Sequence, residues 1–522
     1  MGASQSLTMS AMSAISPSGT QSGAADGDLS GLDKWFEITK RGSSVAREVR
    51  GGLVTFFTMA YIIALNPLII GTAVDKNGNL VSGAPKFTDA AMTVVDGAAV
   101  GQSIAMVAAV TALIAGIMTI LMGVVGRFPI GLATGLGLNA MLAYVIAPTM
   151  TWPQAMGLVV CEGIVITILV LTGFREAVFR AVPPTLRIAI SVGIGLFITL
   201  VGLADAGIIR AGDPLVQLGI GGSLTGWPIF VFVVTLFVLL FLYQRKVKGA
   251  MLWAIAAGTV LAVILEVATS IGAQSDDNVT GWALNVPAFP GWDAFAAPNL
   301  GLLGRVDVFG GFAPDGHATL GTVLTGVMLV FSLLLADFFD TMGTVVAIGA
   351  EGNLLNESGE PPHLREILLV DSLAALAGGA GSVSSNTSYI ESTAGVAEGA
   401  RTGLASVVTG AAFVLALFVT PVVNMVPSEA VAPVLVLVGF LMMMQVGQID
   451  WPDLEISVPA FVTIVLMPFS YSITVGIGAG FITYVAMKIF AGKAGKVHVL
   501  MWVVSALFVI YFAQSLISGW FS

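Results

Sequence analysis

Read for apolar periodicity, the chain is a succession of long hydrophobic runs separated by short polar connections. The runs lie near 51–72, 102–126, 129–147, 153–173, 187–204, 227–243, 250–268, 319–349, 366–380, 384–398, 402–421, 429–447, 456–470, 472–490 and 498–518. A membrane-spanning helix needs about 20 mostly apolar residues, and most of these runs meet that length. The pattern predicts an all-α polytopic membrane protein. Two runs, 129–147 and 384–398, are broken by small and polar residues. The first contains Pro129-Ile130-Gly131-Leu132-Ala133-Thr134-Gly135-Leu136-Gly137-Leu138-Asn139. The second contains Gly378-Gly379-Ala380-Gly381-Ser382-Val383-Ser384-Ser385-Asn386-Thr387-Ser388-Tyr389-Ile390-Glu391.

Each interrupted run is third in its half of the chain, and each ends on one strongly polar side chain. The later runs also correspond in order: 187–204 with 429–447, 227–243 with 456–470, and 250–268 with 472–490. Paired, interrupted spans are the sequence sign of a transporter built from inverted repeats, with its site at the breaks. The run 498–518 is left over, as an added span or an interfacial helix. Extended backbone at membrane depth must pair internally or line a polar cavity, because lipid offers its N–H and C=O groups no partners. The interrupted runs are therefore expected to form short strand and half-helix segments. Their polar groups should meet in one wet pocket halfway through the bilayer.

Composition agrees. The chain is 56% hydrophobic and only 10% charged, with a mean hydropathy of +0.95. A soluble domain carries about 25% charged residues. A net charge of −10 excludes a nucleic-acid partner that needs a basic surface. With one cysteine, Cys161, there is no intrachain disulfide, and with three histidines little remains for a zinc site. No metal and no cofactor is expected.

The distribution of basic residues sets an orientation. Lys34, Lys40, Arg41, Arg47 and Arg50 precede the first span. With the runs threaded in alternation, seventeen of the 21 Lys and Arg fall on the N-terminal side of the bilayer, including Arg175, Arg180, Arg187, Lys246, Lys248 and Arg401. The positive-inside rule then places the N-terminus in the cytoplasm. Residues 73–100 and 269–318 become external loops. The Ser-, Gly- and Ala-rich segment 1–32 reads as a disordered cytoplasmic tail.

The ionisable residues inside the spans carry the candidate chemistry. A charge at a helix centre costs about 2.5–3.5 kcal/mol on insertion scales, so such residues face the bundle interior and mark function. Asp337 and Asp340 are three apart and are expected on nearly one helical face. A carboxyl able to be neutral or charged near pH 7 suits a proton-coupled carrier. Glu391 and Asn139 close the two interrupted segments; the first accepts hydrogen bonds and the second both donates and accepts. Such a set fits a flat heterocycle with alternating N–H and acceptor edges, with Phe338, Phe339 and Tyr389 available to stack on its ring. Glu162 is a structural partner or a gate residue. Asp371 caps or pairs with the neighbouring breaks, Glu398 and Arg401 form a pair at the cytoplasmic side, and Met442-Met443-Met444 gives adaptable packing in a gate helix.

Four motifs carry a resemblance to a known family. They are Thr55-Phe56-Phe57-Thr58-Met59-Ala60-Tyr61-Ile62-Ile63 with Asn66-Pro67, then Gly135-Leu136-Gly137-Leu138-Asn139-Ala140, then Asp337-Phe338-Phe339-Asp340-Thr341-Met342-Gly343-Thr344, and the stretch from Thr387 through Glu391 to Gly403. From about residue 33 to 515 the chain resembles the AzgA-like purine permeases of the nucleobase–ascorbate (NCS2) transporter superfamily. The resemblance implies a 7+7 inverted-repeat transporter with a core domain (33–180 and 319–422), a gate domain (181–270 and 423–522) and an external loop (271–318). It implies proton-coupled uptake of adenine, guanine or hypoxanthine across the inner or plasma membrane, and a homodimer formed through the gate domains. Asn139, Asp337 and Glu391, with Phe338, Ser388 and Tyr389, would bind substrate; Asp340, with Asp337, would serve proton coupling. Two features depart from the family pattern: Gly381 to Asn386 replaces a more Thr-rich approach to the half-helix, and the last apolar run exceeds the 7+7 plan. The alternatives are an anion exchanger or channel of the same architecture, whose cavity should be basic or purely dipolar, and a xanthine/uracil-type permease. An intramembrane aspartyl protease would draw its two Asp from separate helices.

Overall fold

A computed structural model describes residues 31–89, 94–173, 182–212, 215–275, 277–288, 297–356, 360–418, 423 and 425–513, and the side chain of Phe339 is outside that set. Within these residues the chain is helical, with nine helices long and apolar enough to cross a membrane and four shorter apolar ones. Most of the expected 1–32 tail, together with Arg175, Arg180 and the end of the 498–518 run, lies outside the described residues. Residues 31 and 32 already belong to the short helix α1 (Gly31–Phe36).

The first half comprises α2 (Val45–Met59) and α3 (Ile62–Ile70), α4 (Gly97–Leu121), strand β1 (Leu132–Thr134) with α5 (Leu136–Met141), α6 (Trp152–Leu171), α7 (Pro184–Asp205), α8 (Trp227–Gln244) and α9 (Ala250–Thr269). A small hairpin, β2 (Ile209–Ala211) with β3 (Val216–Leu218), follows α7. The second half repeats the order: α10 (Leu320–Glu351), α11 (Leu364–Ala380), β4 (Asn386–Ser388) with α12 (Ser392–Ala397), α13 (Gly403–Ala416), α14 (Ser428–Met443), α15 (Leu454–Phe469) and α16 (Ile473–Phe490). This is the 7+7 inverted-repeat architecture, and each half has its strand and half-helix at the third position. A further helix, α17 (Val499–Phe512), packs Phe508 between Phe481 and Phe331 of α16 and α10. Its 14 residues rise about 21 Å, short of a hydrocarbon core of roughly 30 Å.

The first span is two helices, not one. It breaks at Ala60–Tyr61, where Ile63 N–H returns to Ala60 O in a tighter turn (3.1 Å). Pro67 in α3 supplies no N–H to the ladder, so the carbonyl one turn earlier loses its partner close to this break.

β1 and β4 pair antiparallel at the centre of the bundle, with Leu132 opposite Ser388, Ala133 opposite Thr387 and Thr134 opposite Asn386. Two strands of three residues leave outer edges unpaired, and hydroxyls complete them. Thr119 Oγ1 donates to Leu132 O (3.0 Å) and accepts from Leu132 N (2.9 Å), acting as a one-residue substitute strand. Ser392 Oγ accepts from Gly131 N (3.0 Å), and Ser406 Oγ donates to the Phe128 and Ile130 carbonyls (2.7 and 2.9 Å). The obligation to satisfy backbone groups inside a membrane explains why small hydroxyl residues surround the breaks.

Within the 271–318 loop, the described residues around Trp282 pack onto the bundle. Trp282 is buried and its indole N–H donates to Glu266 (2.8 Å), while Ala283 N donates to Glu429 (3.0 Å).

Candidate functional site

A cavity of about 1210 Å³ enters the bundle and reaches the two half-helices that follow the paired strands. Its deep wall carries Gly135 and Gly137 from the first break, Ile390, Glu391 and Ala394 from the second, and Ala336 and Asp340 from α10. The opposite wall comes from α7 (Ile190, Ser191, Ile194), α14 (Val438, Met442) and Gln445 in the turn after α14. The mouth carries Arg187, Lys246 and Lys248, the last two in the α8–α9 connection. Cationic side chains thus stand at the entrance and two carboxylates at the depth.

Glu391 is the best-organised polar group of the deep wall. It occupies the N-terminal boundary of half-helix α12, and Tyr61 Oη donates to its Oε1 at 2.6 Å. Thr58 Oγ1 lies 3.3 Å from the Glu391 carbonyl, one of three carbonyls within its reach. Tyr389 Oη donates to Thr134 O (2.5 Å), stitching the second interrupted segment to the first.

The predicted residues divide into two groups. Glu391 and Asp340 line the cavity. Asn139, Asp337, Phe338, Ser388 and Tyr389 are buried and do not. Of the three residues expected to meet in one pocket, Glu391 lines this cavity and Asn139 and Asp337 do not. Asn139 lies under its half-helix, with Nδ2 donating to Thr134 Oγ1 (3.2 Å) and Oδ1 unpartnered among the described residues. Ser388 donates to Asp371 (2.8 Å). Tyr389 is held by its hydroxyl in the strand crossing, and Phe338 is packed in the protein.

Asp337 and Asp340 separate for a geometric reason. Three residues advance an α-helix by about 300°, so the side chains differ by roughly 60° in azimuth. That offset sends Asp340 into the cavity and Asp337 to the packed side of α10. There Asp337 is fully buried beside Thr387, with Asp371 and Glu162 nearby, and neither carboxyl oxygen is in hydrogen-bond geometry with a described residue.

Behind the strands, Asp371 accepts from Thr341 and Ser388, each at 2.8 Å, and Thr341 shares a 2.8 Å hydroxyl contact with Thr387. Asp371 thus binds the second break to α10 and α11. Glu162 accepts a long bond from Ser385 (3.4 Å) and so touches the second break from α6. The expected Glu398–Arg401 pair does not form. Glu398 bonds Lys248 and Arg50, the latter at 3.1 Å. Arg401 turns back on Val396 O and Ala400 O, capping the end of α12. Tyr61 and Thr58 were not singled out as site residues from the sequence. Their signal was the Thr58–Tyr61 spacing in the first-span motif, just before Asn66-Pro67.

Two inverted repeats crossing at paired strands, with a cavity ending on the half-helices, define a membrane transporter and not an enzyme. The profile described as "Permease family", that of the xanthine/uracil permeases, matches residues 90–479. Adenine permease AdeP of Escherichia coli (strain K12) is 34% identical over 482 residues, covering 92% of this chain and 95% of that protein. Guanine/hypoxanthine permease PbuG of Bacillus subtilis (strain 168) is 35% identical over 488 residues, covering 92% and 99%. Among solved structures, the transmembrane domain of the cyanobacterial bicarbonate transporter BicA aligns with a TM-score of 0.52 at 15% identity, covering 83% of this chain and 96% of that one. SLC26A9 aligns with a TM-score of 0.54 at 12% identity, covering 89% and 67%, which is a likeness of fold. The chain belongs to this permease family, in the purine-permease branch of the nucleobase–ascorbate (NCS2) superfamily.

Proposed function

We propose that this protein takes up purine nucleobases (adenine, guanine or hypoxanthine) across the cytoplasmic membrane by proton-coupled alternating access. The observation that carries the reading is the deep cavity wall, where Glu391 and Asp340 stand beside the glycine-lined start of the first half-helix. A purine presents N–H donors and ring acceptors in one plane, and this wall offers it carboxylate acceptors and an apolar slot. The relatives named as adenine and guanine/hypoxanthine permeases support the same substrate class. An anion exchanger fits less well, because two carboxylates at the depth of a cavity repel an anion.

In this reading the core domain (33–180 and 319–422) carries the substrate past a gate domain (181–270 and 423–522), and a homodimer forms through the gate domains. With the N-terminus in the cytoplasm, the Lys246–Lys248 mouth faces inward and the cavity is open to the cytoplasm. Asp340 exchanges the proton at the cavity wall, and Asp337 contributes from the packed side. Asn139, Ser388, Tyr389 and Phe338 then act by shaping the half-helices. One proton per purine draws about 2.3 kcal/mol from each 100 mV, enough for roughly fifty-fold accumulation at 1.36 kcal/mol per tenfold.

The test is radiolabelled purine uptake in a permease-deficient bacterial strain, competed with each base, with and without a protonophore. The expected result is uptake abolished by protonophore in the wild type. Asp340→Asn should reach the membrane at normal level yet fail to accumulate purine. Full, pH-sensitive accumulation by that variant would defeat the coupling role of Asp340, and absence of purine uptake by the wild type would defeat the substrate class.

A further inference from the structure

We propose that Tyr61 is a positioning residue for the purine site, acting through Glu391. Its hydroxyl sits at the break between α2 and α3, fully buried, and donates to Glu391 Oε1 at 2.6 Å. A neutral phenol next to a carboxylate has one useful role, to donate, and a hydrogen bond to a charged acceptor is among the stronger kinds.

The geometry makes this contact more than packing. Glu391 is at the first boundary of a six-residue half-helix, where its own backbone has little helix to steady it. A glutamate carboxylate there has three side-chain torsions free to turn into an open cavity. Tyr61 removes that freedom by holding one oxygen from the protein side, while Glu391 remains part of the cavity wall. Thr58, one turn earlier on the same span, lies within 3.3 Å of the Glu391 carbonyl, though its one hydroxyl hydrogen has nearer acceptors in Thr55 O and Val54 O. The first span therefore holds the Glu391 carboxylate through Tyr61, which stands at the break between α2 and α3. Without the hydroxyl, the carboxylate must be ordered by the substrate itself, and that ordering entropy is taken from binding.

The inference rests on the purine-uptake reading, and the experiment separates the two. Uptake kinetics of Tyr61→Phe are compared with wild type at equal surface level, with Thr58→Val and Tyr61→His alongside. The expected result is a KM raised about tenfold or more, with maximal rate held within about twofold, since one charge-assisted hydrogen bond is worth about that factor. Tyr61→His, which keeps a donor at shorter reach, should fall between, and it carries the measurement if the Phe variant does not reach the membrane. An unchanged KM, or a lost maximal rate at unchanged KM, overturns the positioning role while leaving purine uptake standing. No purine uptake by the wild type overturns the underlying reading instead.

Discussion

At the scale of single residues, the site depends on buried carboxylates that differ in company. Asp371 has both oxygens engaged, by Thr341 and Ser388 at 2.8 Å each. Removing it strands two buried hydroxyls and opens a void, at a cost of about 2–4 kcal/mol for lost charged hydrogen bonds and unsatisfied donors. Asp371→Ala should therefore lower the melting midpoint of the detergent-purified protein well below that of Asp371→Asn, which keeps the volume and one acceptor. Equal midpoints for both variants and wild type would remove Asp371 from the set that holds the second break. Asp337 contrasts with it, being buried to the same degree with neither oxygen in a hydrogen bond among the described residues. The sequence could identify both as interior, because a membrane tolerates a carboxylate nowhere else. It could not say which of Asp337 and Asp340 would face the cavity, since an azimuth of about 60° on one helix decides between them and hydropathy does not resolve that angle.

At the scale of elements, small residues let helices cross closely enough to bring the two breaks together. α4 and the wider turn that continues it (Met122–Gly126) run past α13 with Gly116 against Gly410 and Gly123 against Gly403. A Cβ on Gly410 would lie 2.5 Å from Gly116 O, and one on Gly116 2.9 Å from Gly410 O. Both contacts are with backbone, so neither can yield without moving a helix. Gly410→Val should destabilise the protein by about 1–3 kcal/mol through overpacking, read as a lowered melting midpoint and a loss of monodisperse protein on size exclusion. Gly101→Val on α4, whose Cβ would meet nothing within 4 Å, is the control and should cost nothing in packing, with a slight gain in helix propensity. An equal loss in both would mean the crossing is not tightly packed. The strand and half-helix segments were legible because Gly and Ser clusters inside apolar runs have few other uses at membrane depth. The break at Ala60–Tyr61 was not, because the run across it stays apolar. The β2–β3 hairpin was not either, as three-residue strands carry too little alternation to register.

At the scale of the whole molecule, a polar contact near the cavity mouth ties together distant parts of the chain. Lys248, in the α8–α9 connection, bonds Glu398, which follows half-helix α12 and also meets Arg50 of α2 at 3.1 Å. Hydrogen bonding from Lys248 holds the Glu398 carboxyl below the ordinary carboxylate range. A lowered carboxylate contributes fully above its unfolded value near 4.3 and is lost as pH falls through the lower folded value. The tether is therefore constant from pH 5 to 8 and weakens only under stronger acid. It is also exposed, so salt attenuates it as the screening length falls from about 10 Å at 0.1 M to about 3 Å at 1 M. If core and gate sets shift during the cycle, this bridge breaks and reforms once per turnover, and Glu398→Gln should change purine counterflow in proteoliposomes through the maximal rate while leaving KM untouched. The ratio of variant to wild-type rate should be flat across pH 5–8 and approach one as salt is raised to 1 M. A ratio that swings between pH 5 and 8 would mean a group other than Glu398 governs the step. A KM shift with unaltered rate would mean that the mouth acts on the substrate and not on the motion.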